Sequence, residues 1–397
     1  MSEQHYSKIS CGVIITLLLM LPLLSSDIYL PALPVLAHSF SVGPAAAQAT
    51  ISYYLLGYAL GNLFYGALSD TFGRKKLLIV GLTVYVIATI FCLTVSRIEM
   101  FQILRLVQGI GVCAASVLGR VIIMDVYRDR AARIFTIVFP LAACSPIIAP
   151  PIGGYLTNLF ASWQPCFIVL LCLGGGLLIS VIWKLPESLP TTARIPLKLK
   201  HVIENYCSLL QHKIFWGYSL IFVSSYLAWF IYIVETPFIF HGLSIPPDKM
   251  GLLYIPLSLS FLLGNLCFRY LSRRLSTKMI LMMGMVIFIV AAGLYVGLSF
   301  HPPFILGVLG PMLVVTFANG SLTPFSTYAA LSIQPKLKSS SYGASIIGFL
   351  QLSIGALATF VLVHAFRDHF AVLSYSVVVI AVCIVIGVWL AYWSFRG

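Results

Sequence analysis

Apolar stretches of about twenty residues recur along the whole chain. Each is long enough to cross a hydrocarbon core of roughly 30 Å as an α-helix. The glycines and prolines within them do not argue against helix, because membrane-spanning helices tolerate both. We therefore predict an all-α membrane protein with twelve spans, near residues 10–35, 46–68, 77–95, 99–124, 132–160, 164–184, 214–240, 250–271, 279–300, 304–330, 341–364 and 371–394.

The composition agrees with lipid as the solvent. Only 9% of the 397 residues are charged and 60% are hydrophobic, whereas a soluble domain carries about 25% charged residues. A soluble fold of this size would expose far more apolar surface than water tolerates. The composition therefore excludes an ordinary soluble protein.

The net charge of +13 by itself would also suit a nucleic-acid-binding protein. The positions of the cations favour membrane topology instead, since lysine and arginine concentrate in cytoplasmic loops. With a cytoplasmic amino terminus, 19 of the 24 lysines and arginines fall on the cytoplasmic side: Lys8, Arg74, Lys75, Lys76, Arg128, Arg130, Arg133, Lys184, Arg194, Lys198, Lys200, Lys213, Arg269, Arg273, Arg274, Lys278, Lys336, Lys338 and Arg396. Arg97, Lys249 and Arg367 lie on the other side. We expect both termini in the cytoplasm and no nucleic-acid partner.

Sequence signals for other kinds of chemistry are lacking. The nine cysteines form no CxxC pair and lie mostly in apolar runs, as small hydrophobic residues do. The chain contains neither an HExxH zinc motif nor a P-loop. Residues 8–26 resemble a signal peptide, but no good cleavage site follows, so we predict a retained first helix. We expect no metal, no cofactor and no enzymatic activity.

A polar segment at 185–213 separates six predicted spans from six. It predicts an amino-terminal six-helix bundle at 1–184, a cytoplasmic connector at 185–213 with an amphipathic stretch around 201–210, and a carboxy-terminal six-helix bundle at 214–397.

The two halves share an internal repeat. Leu-Gly-Asn-Leu stands at 60–63 and again at 263–266, and Lys75 recurs at the same offset as Lys278. Both copies fall at the cytoplasmic end of the second span of their half. A parallel repeat of two six-span bundles resembles the major facilitator transporters, in which the substrate cavity lies between the halves and alternating access opens it to either side.

The loop after the second span carries the sharpest motif, Gly66-Ala-Leu-Ser-Asp70-Thr-Phe-Gly73-Arg74-Lys75-Lys76. It resembles the major facilitator signature loop at every defined position. The glycines allow close helix contact and a sharp turn. The resemblance implies that Asp70 faces a helix amino terminus of the other half, in a contact that latches the halves together when the cavity opens outward. It also implies that Arg74 pairs with both Asp70 and Asp125. The alternative is that the cations serve topology alone.

Two motifs in the fourth and fifth spans resemble coupling and export motifs of the same family. Arg105-Leu-Val-Gln108-Gly109 resembles the RxxQG motif, associated there with proton coupling. A buried arginine costs at least ~2.5 kcal/mol unless it is paired or hydrated. The run with Pro146, Pro150, Gly153 and Gly154 resembles the motif of drug:proton antiporters, although Ser145 and Ala149 replace two glycines. The alternative for this run is a generic proline-kinked helix with small residues.

The run Ser26-Asp27-Ile-Tyr29-Leu-Pro31 at the outer end of the first span resembles the bicyclomycin-resistance (Bcr/CflA) drug:proton antiporters. With a rise of ~1.5 Å per residue, Asp27, Arg105 and Glu235 lie about 8–10 Å inside the outer ends of their spans. We hypothesise that Asp27, with Arg105 nearby, carries the exchanged proton, and that Glu235 is a second carboxylate at the outer mouth. The alternative is a fixed ion pair between Asp27 and Arg105.

Aromatic, amide and charged side chains within the spans supply a candidate cavity lining. Arg120 either contacts substrate, reaches the membrane surface or pairs with Asp125. The predicted lining residues are Tyr29, Tyr53, Tyr54, Asn62, Gln108, Arg120, Tyr226, Trp229, Tyr232, Asn319 and Gln351.

Together these patterns predict a monomer of the bacterial inner membrane whose partners are lipid, protons and a small-molecule substrate. It would export small amphiphilic molecules or drugs in exchange for protons. The alternative is an exporter dedicated to one metabolite, such as a siderophore or a peptide.

Overall fold

The computed structural model describes residues 8–127, 145–194, 211, 213–332, 341–365 and 368–393. The predicted amphipathic stretch at 201–210 lies outside them. So do the predicted topology cations Arg128, Arg130, Arg133, Lys198, Lys200, Lys336, Lys338, Arg367 and Arg396.

Fourteen α-helices make up most of the described residues. They are α1 Lys8–Asp27, α2 Leu33–Ser39, α3 Pro44–Phe72, α4 Arg74–Cys92, α5 Ile98–Tyr127, α6 Ser145–Phe160, α7 Gln164–Lys184, α8 Lys213–Gly242, α9 Pro247–Leu252, α10 Tyr254–Leu271, α11 Thr277–Leu298, α12 Ile305–Ser332, α13 Ser341–Ala365 and α14 His369–Trp393.

Nine helical segments of the described chain are long and apolar enough to cross a membrane. The other three predicted spans correspond to α3, α6 and α13. Helix α6 is the second part of predicted span 132–160, whose first part lies outside the described residues. Helix α13 contains the shorter apolar segment Ile346–Leu362.

The first span departs from the prediction of one continuous helix over 10–35. Helix α1 ends at Asp27, and a 3₁₀ turn at Leu30–Ala32 leads into α2. Pro31 accounts for the break, because it lacks the N–H that would bond the Asp27 carbonyl in a continuous helix. Pro34 lies in the first turn of α2, where proline is tolerated. The break leaves Asp27 at a helix end.

The chain divides into two compact units, Met1–Lys198 and Leu199–Gly397. In the first unit, α5 packs against α1, α3 and α4. In the second unit, α12 packs in the same way against α8, α10 and α11. The fourth predicted span of each half is thus the packing centre of its unit.

The two copies of the repeat occupy equivalent packing positions. A Cβ atom at Gly61 on α3 would overlap Cys113 on α5, and one at Gly264 on α10 would overlap the carbonyl of Phe317 on α12. Glycine allows such close approach of two backbones. The repeated tetrapeptide therefore has the same physical task in both units.

Candidate functional site

Arg105 on α5 is fully buried, with 0% of its surface exposed. One terminal nitrogen of its guanidinium donates to the side-chain oxygen of Gln108. The other donates to the Ser25 carbonyl and to the Tyr29 hydroxyl, at 3.2 Å each. Its Nε has no hydrogen-bond partner among the described residues. The charge is thus held mainly by neutral groups.

Aromatic rings surround the same guanidinium. Its central carbon lies 4.2 Å from the ring centre of Tyr54, 4.6 Å from that of Tyr29 and 5.5 Å from that of Phe167. A cation over an aromatic face gains about 2 kcal/mol or more when both are desolvated. The rings therefore offset part of the free energy of burying Arg105.

A hydrogen-bond network extends this cluster to α4. The Gln108 amide donates to Thr89 Oγ1 at 2.7 Å, and the hydroxyls of Tyr85 and Ser25 lie 2.8 Å apart. Sequence reasoning missed Tyr85 and Thr89, although their spacing of four residues places them on one helix face. The network joins α1, α4 and α5 around one buried charge.

Asp27 is buried, with 5% of its surface exposed. The Ser26 hydroxyl donates to its carboxylate at 2.7 Å. Among the described residues no ion pair joins Asp27 to Arg105, so the alternative of a fixed ion pair is wrong for this structure. Arg105 instead donates to the backbone carbonyl of Ser25 and to the hydroxyl of Tyr29, on either side of Asp27 in the sequence.

The run that resembles the exporter motif packs against the break in the first span. A Cβ atom at Gly153 on α6 would overlap the carbonyl oxygen of Ile28, the residue after Asp27. Pro150 lies inside α6, and both Gly153 and Gly154 are buried, while Pro146 is the second residue of the helix. The motif therefore contacts the backbone next to the candidate proton carrier.

The signature loop brings its predicted residues together. Arg74 Nη1 lies 2.7 Å from Asp70 Oδ1, and its Nε lies 3.3 Å from Asp125 Oδ2. The predicted pairing of Arg74 with both carboxylates is present. Gly73 turns the chain with φ +94°. The close contact predicted for Gly66 is wrong within the described residues, because an added Cβ there would point into open space.

In the second unit, three predicted lining residues follow one another along α8. Tyr232 is buried, and its ring centre lies 6.5 Å from that of Trp229, while Tyr226 packs edge-on against Phe230 at 4.4 Å. Asn319 on α12 donates to the Ser225 carbonyl at 3.0 Å. These residues form a cluster within the second unit, whereas the cluster around Arg105 lies within the first unit.

Glu235, the third predicted charge, is also on α8, and 1% of its surface is exposed. Its Oε2 lies 2.5 Å from Nδ1 of His369, the first residue of α14. Sequence reasoning missed this histidine. The one available signal was that both residues fall at the predicted outer ends of their spans.

Residues 15–359 match the family model of the Major Facilitator Superfamily. The chain belongs to this superfamily. Multidrug resistance protein D of Escherichia coli (strain K12) is 28% identical over 357 residues, which cover 87% of this chain and 88% of that relative. The bicyclomycin resistance protein homolog of Haemophilus influenzae is 28% identical over 241 residues, 60% of each chain. The predicted resemblance to bicyclomycin-resistance-like transporters is confirmed.

Solved structures agree on the fold. A D-xylose–proton symporter superposes with a TM-score of 0.71 at 15% identity, covering 95% of this chain and 97% of its own. A POT family transporter in complex with 5-aminolevulinic acid gives a TM-score of 0.74 at 12% identity, with coverages of 95% and 94%. The predicted all-α major facilitator fold is confirmed. The chain is a multi-pass inner-membrane transporter and not an enzyme.

The signature loop of this major facilitator protein has a further acidic partner that sequence reasoning missed. Glu187, in the segment after α7, accepts the backbone N–H of Arg74 at 2.9 Å and caps the start of α4. Its other oxygen lies 3.9 Å from Arg194 Nη2. It is one of only eleven acidic residues in the chain. This scarcity is the sequence feature that could have marked Glu187 as a candidate partner of the basic loop.

The remaining predicted lining residues are Arg120, Asn62, Tyr53 and Gln351. Arg120 donates to the carbonyl and the hydroxyl of Ser116 on its own helix, at 3.0 and 2.7 Å. The alternative pairing of Arg120 with Asp125 is wrong among the described residues, because Arg74 and Ser188 occupy that carboxylate. The Asn62 amide donates within α3, while Tyr53 and Gln351 are half-buried.

A separate apolar cavity of about 300 Å³ lies in the second unit, among residues of α8, α11 and α14. Within the described part of the chain, none of the predicted site residues lines it. The lining residues are Tyr218, Ile221, Lys278, Leu281, Met282, Met285, Val385, Val388, Trp389 and Ala391.

Proposed function

We propose that this transporter exports small amphiphilic molecules, drugs among them, in exchange for protons. The observation that carries the proposal is the arrangement of Asp27 and Arg105. The carboxylate is buried at a helix break, while neutral and aromatic groups hold the arginine. Protonation of Asp27 then breaks no ion pair with Arg105. A group that changes its charge at small cost to the fold suits a proton carrier.

Coupling requires that proton and substrate affect each other's binding. A cationic or polar substrate near Asp27 would favour the charged carboxylate, and protonation of Asp27 would favour substrate release. Gly153 contacts the Ile28 backbone, so a shift of α6 would move the helix break that carries Asp27. We propose that this contact links the protonation of Asp27 to the change of access.

The direction of transport rests on the exporter-like motif in α6 and on the two resistance proteins among the relatives. Proton exchange is strong enough to drive export. At about 100 mV a proton contributes ~2.3 kcal/mol, and one pH unit adds ~1.4 kcal/mol, which together support roughly a 500-fold gradient of a neutral substrate. We further propose that a monomer suffices and that both termini are cytoplasmic.

The test is dye efflux from proteoliposomes of the purified protein, with and without an imposed pH gradient. We expect efflux only with the gradient, together with movement of protons in the opposite direction. A panel that compares drugs with metabolites from culture medium separates broad export from export of one metabolite. Gradient-independent efflux of every compound would contradict proton exchange.

We also propose that Arg74, Asp70 and Asp125 act as the conformational latch. Replacing Arg74 by alanine is expected to lower export by about tenfold or more, because two carboxylates lose their buried partner. Initial export rates, normalised to protein in the membrane, measure this loss.

Lys76→Ala is the matched control, since Lys76 is an exposed cation of the same loop. Its export should stay near that of the unchanged protein. Equal losses in both variants, together with altered topology, would favour the alternative in which these cations only set orientation.

A further inference from the structure

A buried carboxylate in the second unit has a basic partner that the signature motifs do not include. Glu235 lies within α8 with 1% of its surface exposed, and its Oε2 is 2.5 Å from Nδ1 of His369. The two residues are 134 positions apart in sequence. A charged residue inside a membrane span is a functional candidate by default.

The two partners differ in their access to water. The side chain of His369 is 24% exposed, against 2% for that of Glu235. The imidazole stacks on Phe238 of α8, with ring centres 5.4 Å apart and planes 20° apart. Packing therefore fixes the ring between the buried carboxylate and the aqueous end of α14.

Other titratable groups at these helix ends have separate contacts. Asp368 accepts the backbone N–H groups of Phe370 and Ala371. On α13, exposed His364 contacts the carbonyl of Phe360, and on α11 the Tyr295 hydroxyl donates to the Val308 carbonyl.

The remaining described titratable groups near these ends lie on the other neighbouring elements. The portion of α12 from Ile305 to Asn319 contains no titratable residue. Those on α8, α9 and α10 are Tyr232, His241, Asp248, Lys249 and Tyr254. His301 lies between α11 and α12, and Tyr375 lies on α14.

We propose that Glu235 and His369 form a second proton-binding site of the exchanger, with His369 as the group that passes protons between external water and Glu235. This inference rests on the proposed proton exchange. The imidazole takes up a proton at one ring nitrogen and gives the Nδ1 proton to Glu235 Oε2, which restores the neutral ring. Imidazole suits this task, because it ordinarily changes its charge between about pH 5 and 8.

The first test is the pH profile of export in proteoliposomes for His369→Asn and Glu235→Gln. Between external pH 5 and 8, we expect either variant to reduce the change in export rate about fivefold or more relative to the unchanged protein. The double variant should resemble the single ones, because both changes disable one site. His364→Asn, which alters an exposed histidine of the neighbouring helix, should keep the original profile.

A purely structural contact between α8 and α14 would give a different result. Export or the amount of folded protein would then fall equally at every pH, and the shape of the profile would not change. That outcome would overturn the proposal.

The second test does not depend on transport. Infrared difference spectra after a step from pH 8 to pH 5 should contain a carboxyl or imidazole band that disappears in both Glu235→Gln and His369→Asn and persists in Asp27→Asn and His364→Asn. If this band is present but no protein exports with a pH gradient, the proposed function fails and the proton site stands. If export is coupled to protons but the band is absent, the inference about His369 fails.

Discussion

Replacement of Asp27 by asparagine is expected to abolish proton-driven export while the protein remains folded in the membrane. Asparagine has nearly the same shape, and its amide oxygen still accepts the Ser26 hydroxyl that now bonds the carboxylate at 2.7 Å. The asparagine side chain cannot take up or release a proton at the pH values of the export measurement. Removal of a positioned proton-transfer group lowers rates by about 100-fold or more, so we expect export near background.

Substrate counterflow separates coupling from binding in this variant. Exchange of labelled for unlabelled substrate needs no net proton movement, so at saturating substrate Asp27→Asn should retain it while losing pH-driven export. Glu99→Gln is the matched control, because Glu99 is an exposed acid in the first turn of α5. Undiminished pH-driven export in Asp27→Asn would remove Asp27 from the mechanism.

The fold was largely predictable because lipid leaves few choices. A backbone in hydrocarbon must satisfy its own hydrogen bonds, so each apolar run of about twenty residues becomes a helix. The break after Asp27 was not predicted, because the prediction of spans used hydropathy alone. Hydropathy treats residues 10–35 as continuous, and prolines such as Pro22 do occur within α1. The helix ends at Asp27, four residues before Pro31, whereas Pro150 and Pro151 lie inside α6. Hydropathy does not distinguish these cases.

The candidate site was predictable where the contacts are local. Arg74 and Asp70 are four residues apart on the chain, on either side of the turn at Gly73, so a short segment brings them together. The pair of Glu235 and His369 has no comparable signal, since the partners come from different helices 134 positions apart. The environment of Arg105 is a third case. The position of Arg105 within a span indicated a functional site. Its partners are a hydroxyl, carbonyl oxygens and aromatic rings, which carry no charge, so the sequence did not identify them as partners of an arginine.

Replacement of Arg105 by lysine is expected to abolish export and to destabilise the first unit, although the charge is kept. The guanidinium donates from two separate nitrogens to groups on α1 and α5, and it lies 4.2 Å from the ring centre of Tyr54. A lysine ammonium is a compact, strongly hydrated charge without a planar fork. It cannot make these contacts together, and a buried charge that loses its partners costs about 3–5 kcal/mol.

Thermal unfolding of the purified protein and export at fixed protein density measure the two losses. Arg97→Lys, at an exposed position before α5, should change neither quantity. Arg105→Met distinguishes the roles of charge and shape. Methionine should preserve more stability than lysine, because it buries no unpaired charge. If Arg105 serves only the packing of the first unit, export should return with that stability. If the cation is needed for coupling, the methionine variant should fold and yet fail to export. Wild-type export in Arg105→Lys would contradict both proposed roles of Arg105, since the planar guanidinium and its aromatic contacts would then be dispensable.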